Sequence, residues 1–280
     1  MTQLTVFANF RINDAERFQR MKDSFNSFYK IDAEWILNIR GKFATQAADY
    51  MRPVLGNKCQ ISHHESKAGW KNDSLLLASK IKSEYVFLWV EDHVSLVEFS
   101  VINELVREMK SENVDYLNYT WYFPELYKKC YCVIEKSSSK NIEYFTLTKQ
   151  EQKRISQTER PAYIISLPSI FSFSLFIKLL SDNRPYFLRW PKETPFDFEK
   201  KSTDFYILPI KMAIPKIELF ACIDDDNGVQ GYSLHSRGQY SRRQLRSIPV
   251  NNKKSVINTL FSFLLPVSIR HFIKRITYHI

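Results

Sequence analysis

The chain has 280 residues, 44% of them hydrophobic and 15% aromatic, with 40 Lys and Arg against 30 Asp and Glu for a formal charge of +10. That is enough apolar material for a sizeable core, and it excludes general disorder. The charge points to anionic partners such as nucleic acid, anionic lipid or nucleotide phosphates, while only 6 glycines and no GxGxxG or GxxxxGKS/T motif argue against a Rossmann dinucleotide site or a P-loop.

Leu4 to Phe10 is a strand-like apolar run ending in Asn9, Phe10 and Arg11. Asn13 or Asp14 can cap a helix over Ala15–Tyr29, with Phe18, Met21, Phe25 and Phe28 on one face. Trp35–Ile39 reads as a second strand followed by Arg40-Gly41, then a short helix over Ala47–Leu55 and a third strand over Cys59–His63. A helix over Asp73–Ile81 feeds the apolar strand Tyr85–Val90, and a helix over Leu96–Met109 leads to a strand over Tyr116–Tyr122. Strands and helices alternating at short intervals imply an α/β fold with a mainly parallel sheet and helices on both faces.

The second half is less regular. Lys136–Lys140 is a Ser/Lys turn, Lys149–Arg160 a charged loop or exposed helix, Ile164–Pro168 a strand, Ser169–Leu180 an apolar helix and Ile207–Ile214 another strand. Cys59, Cys130, Cys132 and Cys222 read as reduced structural thiols in a cytosolic protein, because Cys130-x-Cys132 is too tight for a zinc knuckle and no second pair exists. The N-terminus lacks the basic and apolar regions of a signal peptide. No stretch approaches the roughly 18 apolar residues of a membrane span. The expected division is one domain over 1–250, with a nucleotide half (1–122) and an acceptor half (123–250), and a tail over 251–280. That tail mixes large apolar residues with Lys253, Lys254, Arg270, Lys274 and Arg275. Apolar bulk with a basic face describes an amphipathic helix lying at an anionic membrane surface.

The most telling stretch is Glu84-Tyr-Val-Phe-Leu-Trp-Val-Glu-Asp-His93, an apolar strand that turns abruptly ionic. Three oxygen or nitrogen donors, Glu91, Asp92 and His93, stand at the carboxyl end of a buried strand, where open α/β sheets bind ligands. With Lys71-Asn72 opening the preceding helix and Ser83-Glu84-Tyr85 turning into the strand, the pattern resembles the GT-A glycosyltransferases, nucleotide-sugar enzymes of the bacterial surface-polysaccharide type. In that family the strand ends in Asp-x-Asp or a variant. Val90 stands here where the first Asp often lies and Asp92 matches the last one; read instead as Glu91-x-His93, the motif resembles the Asp-x-His variant.

The resemblance implies a GT-A-like sheet and a divalent cation, Mn²⁺ or Mg²⁺, at Glu91, Asp92, His93 and a late histidine, His235. It implies a nucleotide-sugar donor near Asn9, Phe10, Arg11, Arg40, Lys71, Asn72 and Arg237. Arg40 occupies a place where an acidic residue often faces the base. An inverting transfer needs a base for the acceptor hydroxyl, and Glu199, then Asp197, in the aromatic Thr194–Lys200 loop are the candidates. Asp224-Asp-Asp226 precedes Asn227-Gly228 and reads as solvated turn carboxylates. The expected acceptor is a glycan or lipid-linked glycan at the inner face of the cell membrane, with no nucleic acid involved. The alternatives are a nucleotidyltransferase or a basic module for nucleic acid or anionic lipid, which would bind with strong salt dependence and without the acidic strand end.

Overall fold

The computed structural model describes residues 2–120, 131, 134–156, 165–182, 207–224 and 231–240. Contacts divide the chain into a unit of Met1–Arg184 with Trp190–Ser241 and a unit of Pro185–Arg189 with Arg242–Ile280; the second, with the tail expected over 251–280, lies outside the described residues. The strands of the first unit are β1 (Leu4–Arg11), β2 (Glu34–Arg40), β3 (Cys59–Ser62), β4 (Tyr85–Leu88), β5 (His93–Ser95), β6 (Tyr116–Asn118), β7 (Ser137–Ser138), β8 (Ile142–Leu147), β9 (Ser169–Ser172), β10 (Ile210–Pro215) and β11 (Phe220–Cys222). The helices are α1 (Ala15–Phe28), α2 (Ala44–Leu55), α3 (Trp70–Ala78), α4 (Phe99–Ser111), α5 (Lys149–Ser156) and α6 (Phe173–Ser181).

Among the described residues the main sheet has nine strands in the order β3-β2-β1-β4-β9-β6-β10-β8-β7. β3, β2, β1 and β4 are parallel, as are β6 and β10; β9 runs antiparallel between β4 and β6, and β8 antiparallel beside β10. The sheet is therefore mainly parallel and flanked by helices, as the alternating pattern implied.

Side-chain alternation sorts the core into two layers. Leu4, Val6, Ala8 and Phe10 of β1, with Tyr85 and Phe87 of β4, face α1, α2 and α4. Phe7 of β1 and Val86 and Leu88 of β4 face α3 and α6. The chain steps from β1 outward to β2 and β3 with α1 and α2 on one face. It then returns past β1 to β4 with α3 on the other face, as right-handed crossovers require. The order reverses between β1 and β4, so a ligand crevice is expected outside their carboxyl ends.

Several boundaries differ from the sequence expectation for identifiable reasons. The apolar stretch after Ser169 is divided: Ser169–Ser172 is β9, and Ser172 caps α6 by accepting from the Leu175 amide at 3.4 Å. Asp14, one of the two expected caps, does cap α1 through the Arg17 amide at 2.8 Å. The Ser/Lys turn is the tip of a hairpin whose second arm, β8, pairs with β10. Lys149–Ser156 is helical, the second of the two readings left open. No helix among the described residues is long and apolar enough to cross a membrane.

Candidate active site

The carboxyl end of β4 is turned into a corner. The Trp89 amide still donates to Phe7 of β1 at 2.8 Å, and the His93 amide closes a turn onto the Val90 carbonyl at 3.3 Å. His93–Ser95 then leaves the main sheet and pairs antiparallel with β11, which places Cys222 opposite His93. The Ile223 amide donates to the Asp92 carbonyl at 2.9 Å.

α1 supports this corner from below. Trp89 Nε1 donates to Ser24 Oγ at 2.9 Å, and Ser24 Oγ donates onward to the His93 carbonyl. The Ser95 amide donates to Ser27 Oγ at 2.8 Å. Tyr119, stacked on Phe87 at 4.4 Å between ring centroids, donates its hydroxyl to the Leu88 carbonyl at 2.8 Å. The corner thus has its backbone tied to α1, to β11 and to the end of β6.

Three donor types converge there. A carboxylate oxygen of Asp92, a ring nitrogen of His93 and the Cys222 sulfur lie within 4.8 Å of one another. His93 Nδ1 is 2.7 Å from Asp92 Oδ1, leaving Nε2 as the nitrogen open to a further partner. The set fits a divalent cation, and the sulfur favours a softer one than Mg²⁺. Cys222 was read from sequence as an inert structural thiol; its apolar triplet Phe220-Ala-Cys222 is too short to announce a strand, and only the long-range pairing with β5 reveals its neighbours. Among the described residues Glu91 and His235 do not join this set. His235 comes near through its backbone, donating to the Ile223 carbonyl at 2.8 Å, while its Nδ1 lies 3.2 Å from the Tyr240 carbonyl.

The electrostatics separate the two carboxylates. Burial pushes Glu91 up to about 7, and the neighbouring Asp92 charge adds to the shift. Burial would also raise Asp92, but His93, by charge and hydrogen bond, and then Arg20 hold it below its usual range. Arg20 on α1 pairs with Glu16 and with Asp224 at 2.7 Å, so Asp224 is an ion-pair partner rather than a solvated turn carboxylate.

The shift on Glu91 has a stability consequence. The folded state binds its proton more tightly than the unfolded chain, so the group destabilises the fold as pH rises from about 4.5 toward 7, and the cost levels off above that. Glu91→Gln, measured in chelator by thermal or urea unfolding, is expected to gain about 1–2 kcal/mol at pH 8, a figure reduced for partial exposure. The gain should vanish near pH 4; a gain that persists there would show that something other than ionisation is responsible.

The residues expected around a nucleotide have mixed fates. Asn9 is buried and fully engaged: Nδ2 donates to the Trp70 carbonyl at 3.1 Å and to Ser74 Oγ at 2.8 Å, and Oδ1 accepts from Asn38 at 3.0 Å. Phe10 belongs to the core, its ring edge-on to Trp89 at 5.0 Å, so it has no face to offer a base. Lys71 is buried and donates to the Asp182 carbonyl, tying α3 to the end of α6. Asn72 is exposed and donates to the Ala68 carbonyl at 2.7 Å, in the first turn of a helix whose N-cap is Gly69. Arg237 makes a two-pronged pair with Glu218 at 2.7 and 2.8 Å and donates to the Tyr232 and Gly231 carbonyls, which is a structural staple. Asn9 and Lys71 look available in sequence because their partners lie in distant elements. Arg11 and Arg40 remain at the carboxyl ends of β1 and β2, in register with each other. Glu199 and Asp197 lie outside the described residues.

The sheet order, reversing between β1 and β4, makes this an α/β protein with a large, mainly parallel sheet flanked by helices. No protein-family model and no curated protein matches the sequence. Among solved structures the chain is similar to S. aureus TarS 1-349, with 15% identity over 78% of this chain and 59% of that one and a TM-score of 0.47. It is similar to the same fragment in complex with UDP-GlcNAc, with 15% identity over 79% and 58% and a TM-score of 0.46. It is also similar to the mannosyltransferase PcManGT from Pyrobaculum calidifontis in complex with GDP-Man and Mn²⁺, with 9% identity over 82% and 59% and a TM-score of 0.45. Each likeness is distant, and the chain spans less than two thirds of each of those chains.

Proposed function

We propose that the chain is a GT-A-like glycosyltransferase that moves a sugar from a nucleotide-sugar donor to a glycan or lipid-linked acceptor. The observation that carries this reading is the Asp92–His93 pair, joined by Cys222, at the carboxyl end of β4 beside the reversal in strand order. A nucleoside diphosphate leaving group gains negative charge as the glycosidic bond breaks, and a bound divalent cation neutralises that charge. Asp92 and His93 would hold it, with Cys222 as a third donor. Asp92 also fixes the imidazole by accepting at Nδ1, which keeps Nε2 directed to one task. An inverting displacement needs a base on the acceptor side, and Glu199 or Asp197 is assigned to it. The acceptor fits surface-polysaccharide assembly, with the basic apolar residues of 251–280 holding the protein at the inner face of the membrane.

A thermal-shift series with UDP, GDP and CDP, each with and without Mn²⁺, tests the central claim. Saturation at 100 times Kd should stabilise the fold by about 2.7 kcal/mol. The expected result is a cation-dependent shift for one nucleotide. Absence of a shift with every nucleotide, with or without cation, would overturn the reading.

A further inference from the structure

Along the face of β1 and β2 that meets α3, register partners change character toward the carboxyl ends. Phe7 stands opposite Ile36, Asn9 opposite Asn38, and Arg11 opposite Arg40. The first pair is core and the second is a closed amide network, in which Asn38 also donates to the His64 carbonyl at 2.7 Å. The third pair sets two arginines side by side on neighbouring strands, close enough for the Arg11 charge to act on Arg40.

Arg40 is the unusual member. It is 8% exposed, its Nε is buried without a hydrogen-bond partner, and no ion pair within 4.0 Å engages it among the described residues. Burial and then the Arg11 charge lower its pKa, and Asp73 opposes them. Asp73 is already committed: it accepts from Ser66 Oγ at 2.5 Å and from the Ser66 amide at 3.1 Å, and lies 3.2 Å from His64 Nε2. Arg11 pairs with Glu65, but both side chains are well exposed, and such a surface pair is easily redirected.

The position of Arg40 is fixed by its backbone. Its carbonyl accepts from the Ile12 amide at 2.8 Å, and the Phe43 amide donates to the Ile12 carbonyl at 3.0 Å. Gly41, at φ +93°, lies so close to this segment that a Cβ there would sit 2.5 Å from Asn13 Oδ1. A largely buried guanidinium whose Nε has no partner, on a backbone held in place, is costly in the folded state unless an anion completes it. A planar guanidinium with a second arginine alongside matches an oxyanion.

We propose that the carboxyl ends of β1 and β2 form an oxyanion subsite in which Arg40, flanked by Arg11, binds a phosphate-class group. This subsite is separate from the Asp92–His93–Cys222 cluster and needs no cation. Only the source of the phosphate rests on the function proposed above: it is either part of the donor nucleotide or free phosphate.

The test is calorimetric titration and thermal shift with inorganic phosphate, pyrophosphate, UDP, GDP, CDP and the parent nucleosides, all in chelator. Wild type should bind one or more of the phosphate compounds but not the nucleosides, and Arg40→Met should lose about tenfold or more in that affinity. Ligand-free Arg40→Met should melt at or above the wild-type temperature, because it no longer buries a guanidinium whose Nε has no partner. Arg40→Gln provides the same comparison with a polar side chain should the Met variant fold poorly. Asp92→Asn should retain the cation-independent phosphate binding, so loss of the cation-dependent nucleotide response in that variant speaks only to the proposed function. Preference of a nucleotide over pyrophosphate, lost in Arg40→Met, assigns the group to the donor; equal affinity assigns it to free phosphate. Unchanged phosphate affinity in both Arg40 variants, or no phosphate binding by wild type, would overturn the subsite.

Discussion

Asn in place of Asp92 is expected, under the proposed function, to lower sugar transfer about 10²–10³-fold, because it weakens the hold on the cation that would neutralise the leaving group. The substitution keeps the size of the side chain and leaves the Asp92 carbonyl free to accept from Ile223. What it removes is the negative charge and the acceptor that orients His93. The amide also reverses the hydrogen-bond logic, because an Asn presenting its NH₂ to His93 Nδ1 would demand the other imidazole tautomer. The fold should survive, since Asp92 is partly exposed and its backbone ties remain.

A pH signature accompanies that loss. The folded-state pKa of Asp92 lies below the ordinary value, so its ionised form adds stability above that value and the contribution disappears as pH falls through the folded pKa. Asp92→Asn should therefore melt below wild type at pH 7 and converge with it only as pH falls below the ordinary aspartate range. Wild-type transfer rates in Asp92→Asn, with donor saturating, would remove the carboxylate from the mechanism.

The parts of this protein legible in sequence are those whose signal is local. β1, β2 and β4 are apolar runs long enough to declare themselves, and α1 carries both its cap and its apolar stripe. β5 and β11 are three residues each and exist because they pair with one another across more than a hundred residues of chain. Cys222 could not be placed in the site without that pairing. β9 was hidden because an apolar strand runs directly into an apolar helix, so no change of periodicity marks Ser172. The charged residues misled in a systematic way. Lys71 is expected beside the donor nucleotide, yet it is buried against the carbonyl of Asp182. Arg40 has ordinary surface charge as its plain reading in sequence, and it is buried at the carboxyl end of β2. Burial of a charge depends on which elements close over it, and sequence spacing does not carry that information.

The same dependence on distant contacts makes Trp89 the most sensitive position beneath the site. Its ring lies edge-on to Phe10 at 5.0 Å, Phe28 at 5.5 Å and Trp35 at 5.8 Å, at the meeting of β1, β2, β4 and α1. Trp89→Ala should destabilise the fold by about 3–5 kcal/mol, because the cavity left among aromatic rings cannot collapse easily. That range is a large fraction of the stability of an ordinary domain. Bulk is only half of its role. Trp89 Nε1 feeds the hydroxyl of Ser24, which in turn holds the His93 carbonyl, so the indole links the core to the corner that carries Asp92 and His93. Trp89→Phe preserves most of the packing and deletes that link. Its expected cost is about 1 kcal/mol of unfolding free energy from the lost hydrogen bond. The accompanying fall in transfer should be non-additive with that of Ser24→Ala, since Trp89→Phe frees the Ser24 hydroxyl to turn and Ser24→Ala removes it, and both interrupt one relay to the His93 carbonyl. Urea unfolding and kcat measured on the two single variants and the double variant separate packing from positioning: additive losses in kcat would break the proposed chain from Trp89 through Ser24 to His93.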